Sequence, residues 1–90
     1  MKRPIEVAVD YTLDNLEIKE WRKRVGDVVR RGEVLLEYET QKVVVEESAA
    51  DDGVLCEITA TAGEQVFRPD NVPSGAWTAI VGYIETEGAA

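Results

Sequence analysis

Six strand-length segments recur along the chain between turn signals. Apolar and polar residues alternate in most of them, and residues 43–47 form a β-branched run. An alternation with a period of two is typical of β-strands that bury one face. The predicted strands cover residues 5–9, 16–21, 34–40, 43–47, 53–58 and 77–84. Many short strands joined by regular turns predict an all-β sandwich or barrel. Glycines stand at the breaks, where a positive φ is expected, at positions Gly26, Gly32, Gly53, Gly63 and Gly75.

A helix is the main alternative for residues 16–29, because Glu, Lys and Arg favour helices. Two features count against it. Gly26 and Asp27 interrupt the segment, and its apolar residues do not form the continuous stripe that marks an amphipathic helix. The segment is therefore predicted to hold a strand followed by a loop.

An internal repeat relates the two halves of the chain. A shift of 37 residues, from Gly26 to Gly63, aligns a common pattern that contains an apolar residue, Glu, Gly, an acid and Val. The aligned pairs include Ile18 with Leu55, Trp21 with Ile58, Asp27 with Glu64 and Val29 with Val66. With about six extra residues within 67–74, the alignment continues through Gly32 with Gly75, Val34 with Trp77, Leu36 with Ala79 and Tyr38 with Val81. Two similar sheets, each burying one face against the other, are the predicted consequence.

Lys42 lies between the two halves, in the segment that joins predicted strands 34–40 and 43–47. The segment leaves room only for a turn, so Lys42 is expected at the exposed tip of a hairpin. Considered alone, a lysine in a turn is usually no more than a solvated side chain. The repeat and the position between its halves distinguish Lys42 from such a residue.

Composition narrows the possible functions. The 90 residues suffice for one small domain, predicted to span 1–90 with its core in 4–84. A net charge of -8 argues against nucleic acid and anionic membranes as partners. The sequence has no histidine, so neither histidine-based catalysis nor a histidine-ligated metal site is expected. Cys56, the single cysteine, is expected to be a buried unreactive thiol, and Trp21 and Trp77 are expected in the core.

Charged residues cluster in two parts of the sequence. Six of the ten basic residues form either a solvated face or a docking patch for an acidic partner: Lys19, Arg22, Lys23, Arg24, Arg30 and Arg31. The acids that flank Lys42 in sequence form either a solvating rim or a surface recognised by partner enzymes: Glu37, Glu39, Glu46, Glu47, Asp51 and Asp52. The sequence leaves both pairs of interpretations open.

Four sequence motifs keep the order and spacing found in one known family. They are LEIKEW, GDVVRRGEVLL, EYETQK and, after the second strand of the hairpin, ADDGVL. These motifs resemble those of the lipoyl domains of 2-oxoacid dehydrogenase complexes, within the biotinyl/lipoyl carrier family, and the match covers about residues 4–84. The resemblance implies a flattened β-barrel of two four-stranded antiparallel sheets related by a pseudo-twofold axis.

By the same resemblance, Lys42 corresponds to the lysine that bears a covalent lipoyl group, with Thr40, Gln41 and Val43 as its flanking turn. A carrier of this kind needs no catalytic residue, because the cofactor supplies the chemistry and the protein positions it. The implied partners are a lipoate ligase or lipoyl transferase, a thiamine-diphosphate 2-oxoacid decarboxylase, an acyltransferase and dihydrolipoamide dehydrogenase. The implied location is the cytoplasm, or the mitochondrial matrix if the chain is an excised domain.

Two departures from the family pattern keep alternatives open. Gln41 stands where lipoyl domains usually have Asp, and the segment 67–74 is longer than usual. A biotin carrier would have methionine on both sides of the lysine, whereas this chain has Gln41 and Val43. The remaining alternatives are therefore a biotin carrier with an unusual turn and an unmodified interaction module that has kept the fold.

Overall fold

The computed structural model describes residues 1–9, 14–70 and 76–87, and within these ranges the chain forms β-strands and no helix. The alternating segments become strands because their even and odd residues face the core and the solvent in turn. The eight strands are β1 (Lys2–Val9), β2 (Asn15–Trp21), β3 (Val28–Val29), β4 (Val34–Glu39), β5 (Val44–Ser48), β6 (Gly53–Ile58), β7 (Gln65–Phe67) and β8 (Trp77–Glu85). Across the same ranges, no helix is long and apolar enough to span a bilayer.

The strands form two four-stranded sheets, ordered β1-β8-β6-β3 and β5-β4-β2-β7, and every pairing is antiparallel. This confirms the predicted all-β class and its two four-stranded sheets. All six predicted strands are present. Strands β3 and β7 were not predicted, because two or three residues are too short for an alternation to be visible.

The core lies between the sheets and is built mainly from the inward residues of the strands, with Ala49 and Ala60 added from the segments that follow β5 and β6. It contains Ile5, Val7, Val9, Leu16, Ile18, Val29, Leu35, Leu36, Tyr38, Ala49, Leu55, Ala60, Trp77, Ala79, Val81 and Ile84. Each fully buried aliphatic side chain contributes roughly 1.5–3 kcal/mol. Trp77 is buried as expected, whereas Trp21 is only half-buried and packs against the core edge, its indole Nε1 donating a hydrogen bond to the Ala60 carbonyl at 2.7 Å.

Reciprocal hydrogen bonds join the two halves of the repeat. The Gly26 N–H donates to the Leu55 carbonyl at 2.7 Å, and the Gly63 N–H donates to the Ile18 carbonyl at 2.7 Å. Gly26 aligns with Gly63 and Ile18 with Leu55, so each half gives the other the same bond. The shift of 37 residues over this region is therefore confirmed.

The alignment predicted farther along the chain is wrong by three residues. Tyr38 pairs with Ile18 in one sheet, and Ile84 pairs with Leu55 in the other, so Tyr38 corresponds to Ile84 and not to Val81. The shift is 84 − 38 = 46, and the second half carries 46 − 37 = 9 extra residues rather than about six. Register irregularities in β4 and β8 break the alternation that the sequence alignment followed.

The five glycines that were expected to have positive φ do not all have it. Positive φ occurs at Gly26, Gly32 and Gly63, as expected, but not at Gly53, while Gly75 lies outside the described residues. Gly53 is required for close packing, because a Cβ there would overlap the Glu85 carbonyl oxygen and lie 2.7 Å from the Ile84 side chain. A glycine between strand segments can therefore mark a close approach as well as a turn.

Gly82 allows β8 to approach β6, and we expect Gly82→Ala to destabilise the domain by about 2–4 kcal/mol. The new Cβ would lie 2.6 Å from the Glu57 carbonyl oxygen and 3.3 Å from the Trp21 ring. The carbonyl is held in a paired strand and cannot move without breaking the sheet register. Thermal unfolding should show a melting temperature lower by on the order of 10 °C.

The matched control is Ile80→Thr on the same strand, since Ile80 is exposed and Thr keeps the β-branched shape. It should change stability by less than about 1 kcal/mol. Equal melting temperatures for the two variants would contradict the close-packing role of Gly82.

Candidate functional site

The β4–β5 hairpin carries Lys42 at its tip. Strand β4 ends at Glu39 and β5 begins at Val44, so four residues connect them. Gln41, Lys42 and Val43 are exposed. The structure therefore confirms the predicted position of Lys42, on an exposed turn between two antiparallel strands.

Thr40 organises the turn. Its backbone N–H donates to the Val43 carbonyl at 2.9 Å. Its hydroxyl oxygen accepts hydrogen bonds from the backbone N–H groups of Lys42 at 3.3 Å and Val43 at 3.2 Å, and lies 3.3 Å from the Val43 carbonyl. The Thr40 side chain thus accepts hydrogen bonds from turn N–H groups, a role that a backbone carbonyl often has in such turns.

The same bonding pattern recurs at the other end of the molecule. The Thr86 N–H donates to the Met1 carbonyl at 2.9 Å, and the Thr86 hydroxyl donates to the same carbonyl at 3.1 Å. Thr86 corresponds to Thr40 through the shift of 46 residues. The Tyr38 hydroxyl reaches the Ala8 carbonyl, so the Lys42 turn lies near the end of β1 whereas Met1 lies at its start. The two ends are related by the pseudo-twofold axis.

Ion pairs cover the outer face of the sheet that carries Lys42. The Lys19 ammonium lies 3.8 Å from both Glu17 and Glu39, and the Arg22 guanidinium lies 3.0 Å from both Glu37 and Glu46. Such exposed pairs each contribute at most about 1 kcal/mol. Because the charged groups of Lys19 and Arg22 pair with acids of their own sheet, the contacts favour the solvated-face interpretation for these two residues.

The acids near Lys42 in sequence do not all lie near it in space. Glu39 borders the Lys42 turn. Asp51 and Asp52 instead line a groove of about 570 Å³ at the opposite end, together with Met1 and Glu85. A recognition surface around Lys42 can therefore include only part of the acidic set that the sequence suggested.

Glu47 is the acid of this hairpin whose side chain turns toward the core. It is half-buried at an inward position of β5, and burial raises the pKa of its carboxyl above the usual value. Burial also raises the pKa of Tyr38, with a smaller contribution from the Glu47 carboxylate. A charge that points inward on an edge strand discourages pairing with other chains.

Comparison with known proteins identifies the family. The family model described as "Biotin-requiring enzyme" matches residues 7–72 of the chain. The chain belongs to the biotinyl/lipoyl carrier family.

Within this family, the similar proteins bear names that refer to lipoyl groups. The chain is 45% identical over 65 residues to the dihydrolipoyllysine-residue succinyltransferase component of the 2-oxoglutarate dehydrogenase complex of Staphylococcus saprophyticus. The aligned region covers 72% of this chain and 14% of that relative. It is 33% identical over 81 residues to the dihydrolipoyllysine-residue acetyltransferase component of the pyruvate dehydrogenase complex of Rickettsia conorii, covering 87% of this chain and 18% of the relative. This carrier domain thus spans less than a fifth of either relative.

A solved structure agrees with these sequence matches. The solution structure of the lipoyl domain of the 2-oxoglutarate dehydrogenase complex from Azotobacter vinelandii has a TM-score of 0.67 and 29% sequence identity. The match covers 93% of this chain and 99% of that domain. The fold expected from the resemblance is confirmed, and the domain is a lipoyl carrier by family.

The residues at the turn of this lipoyl domain fit a covalently attached group. Lys42 is exposed on a paired hairpin, and its neighbours Gln41 and Val43 carry no charge. Within the described ranges, no group of three or more His, Cys, Asp or Glu side chains could hold a metal.

Besides Trp21, two residues lie differently from what the sequence indicated, and the role of a third was not foreseen. Cys56 is half-buried rather than buried, with its thiol 3.4 Å from the Tyr83 carbonyl. Glu47 was grouped with the exposed acids, although its alternation with Val45 along β5 marks it as inward. The hydrogen bonds of the Thr40 hydroxyl were not predicted. The only sign of them in the sequence is a threonine at the start of the turn between two strands.

We expect Glu47→Gln to raise the melting temperature of the domain at pH 7 by a few °C. A raised folded-state pKa means that ionised Glu47 costs stability above that pKa. The cost disappears as the pH falls through the folded pKa and below the unfolded value of about 4.5, where the side chain is protonated in both states. Solvent screening of a half-buried group keeps the effect small.

The control for this pH series is Glu46→Gln, the outward neighbour paired with Arg22. Thermal melts at pH 7 and pH 3.5 should give a gain for Glu47→Gln only at pH 7 and no gain for Glu46→Gln at either pH. A gain at pH 3.5 as large as at pH 7 would show that charge burial is not its cause.

Proposed function

We propose that this domain carries a lipoyl group in amide linkage to the Nζ of Lys42, and that it carries acyl groups and reducing equivalents between components of a 2-oxoacid dehydrogenase-type complex. The observation that carries the proposal is the position of Lys42, exposed at the tip of a paired hairpin in a lipoyl-domain fold. Lys42 stands at the position where the motif of lipoyl domains has the lysine that bears the lipoyl group.

The chain itself contributes position and accessibility. A lipoyl group, when bound, supplies a dithiolane that can accept an acyl group and two electrons. Strands β4 and β5 hold the Lys42 turn away from the core, so little ordering is needed when an enzyme binds it. Amide formation converts the Lys42 ammonium to a neutral group, which leaves the tip without the lysine charge. Because the lipoyl group would be tethered to the domain, each of its encounters with an enzyme of the same complex would be effectively intramolecular.

The partners follow from this proposal. A lipoate ligase or lipoyl transferase would modify Lys42. A thiamine-diphosphate 2-oxoacid decarboxylase, an acyltransferase and dihydrolipoamide dehydrogenase would then act in turn on the carried group. The names of the relatives support an acyltransferase that is part of the same polypeptide as this domain. The domain corresponds to 14% of the length of one named relative and 18% of the other.

The proposal extends to domain organisation and location. We propose that residues 1–90 form one carrier domain with no active site of its own, attached to or associated with an acyltransferase. Its proposed location is the cytoplasm, or the mitochondrial matrix if it is a piece of a longer imported protein.

Two other functions are less well supported. A biotin carrier would have methionines beside the lysine, whereas Gln41 and Val43 stand there and the matched relatives are named for lipoyllysine. An unmodified interaction module is the alternative that Gln41 alone favours. An intact mass of the protein from its native cell separates the three possibilities, and avidin binding identifies biotin.

The first test is lipoylation in vitro. With lipoate, ATP and a lipoate ligase, the domain should gain the mass of one lipoyl group. Lys42→Ala and Lys42→Arg should both abolish the gain, because neither side chain offers a primary amine. Lys19→Arg is the control, since Lys19 is an exposed lysine on the same sheet, and it should be modified normally. Mass spectrometry is the measurement, and modification that persists in the Lys42 variants would assign the wrong lysine.

The second test concerns Gln41 and partner choice. We expect Gln41→Asp to leave the extent of lipoylation nearly unchanged, because the hairpin geometry that presents Lys42 is the same. Reductive acylation by a generic 2-oxoacid decarboxylase should rise several-fold, because local charge affects encounter and partner choice. Both rates are measured on one preparation and expressed per lipoyl group. Better lipoylation without faster acylation would instead mark Gln41 as a step toward an unmodified domain.

A further inference from the structure

The Lys42 turn is built in an unusual way. The bond from the Thr40 N–H to the Val43 carbonyl closes the four-residue connection into a two-residue turn at Gln41 and Lys42. Two-residue hairpin turns commonly use positive φ, which Gly, Asn and Asp supply. Among the described residues, positive φ occurs only at Gly26, Gly32 and Gly63, so neither Gln41 nor Lys42 adopts it. The turn therefore needs another source of order, because its backbone conformation does not match the twist of the strands as well as the common turns do.

The Thr40 hydroxyl supplies that order. Its oxygen lies 3.3 Å from the Lys42 backbone nitrogen and 3.2 Å from the Val43 backbone nitrogen, and both nitrogens donate to it. Each bond is long and individually weak. Together they tie the backbone of the modified residue, and of the residue after it, to a side chain at the end of β4.

We propose that Thr40 is a positioning residue, whose hydroxyl holds the Lys42 turn in the conformation that the modifying enzyme recognises. This inference rests on the proposed lipoylation of Lys42. Without the hydroxyl, both N–H groups turn to water, because the turn is exposed, and the turn samples other conformations. An enzyme that binds only one of these turn conformations then finds a smaller fraction of the domain in that conformation. This raises the KM for the domain and leaves kcat nearly unchanged.

The pseudo-twofold axis provides a matched control within the same molecule. Thr86 occupies the position of Thr40 in the other half, and its N–H and hydroxyl donate to the Met1 carbonyl as those of Thr40 donate to the Val43 carbonyl. The Met1 ammonium donates to the Thr86 backbone carbonyl, so the bonds that the Thr40 hydroxyl accepts belong to the Lys42 turn. No lysine turn adjoins it. Removal of the Thr86 hydroxyl should therefore cost stability without affecting the lipoylation of Lys42.

The experiment compares Thr40→Val, Thr40→Ser and Thr86→Val in a lipoylation assay with lipoate, ATP and a lipoate ligase. Valine keeps the branched shape of threonine and removes the hydroxyl, whereas serine keeps the hydroxyl. Thr40→Val should raise KM for the domain about fivefold to tenfold, as expected for the loss of one or two weak hydrogen bonds. Thr40→Ser should restore KM to within about twofold of the unsubstituted domain, and Thr86→Val should leave it unchanged.

Backbone amide order parameters from NMR give a readout that does not depend on the ligase. They should fall at Lys42 and Val43 in Thr40→Val only. An unchanged KM in Thr40→Val, a failure of serine to restore it, or an equal rise in Thr86→Val would each overturn the positioning role. If the unsubstituted domain is not lipoylated at all, the proposed function fails; if it is lipoylated and Thr40→Val behaves identically, only this inference fails.

Discussion

Backbone hydrogen bonds exchanged between the two halves of the chain hold the fold together. Gly26 donates to Leu55, and Gly63 donates to Ile18, so the loop of each half is anchored on a strand of the other. The N–H groups of Leu55 and Ile18 return bonds to Asp27 and Glu64 in the same reciprocal way. Each sheet also buries its inner face against the other. Neither half can satisfy its backbone or bury its apolar side chains alone, so the two sheets form together.

This constraint explains why the molecule has two hairpin-like ends with similar geometry. Thr40 and Thr86 each donate from their N–H and hydroxyl to one carbonyl across the end of the sheet, and their flanking strands pair in the same register. The two ends differ in chemistry. At one end a continuous turn carries Lys42, and at the other Met1 and Glu85 form an ion pair beside a groove. The same backbone scaffold thus presents an exposed lysine turn at one of its two ends.

The site works through position and not through a pocket. Lys42 is exposed, its immediate neighbours are uncharged, and the charged residues of its sheet pair mainly with one another. Strands β4 and β5 hold the turn away from the core, so the geometry of the hairpin sets how the lysine is presented.

Residue patterns along the chain were enough to predict the strands, the two-sheet architecture, the shift of 37 residues and the position of Lys42 in a turn. These features depend on local alternation and on motif spacing, which are both visible along the chain. Long-range contacts set the shift of 46 residues farther along, the packing role of Gly53, the inward position of Glu47 and the hydrogen bonds of Thr40. Each of these depends on which backbone atoms of distant strands come within contact distance. Register irregularities and close strand approach are set by pairing across the sheets, and pairing between distant strands leaves no regular period in the sequence.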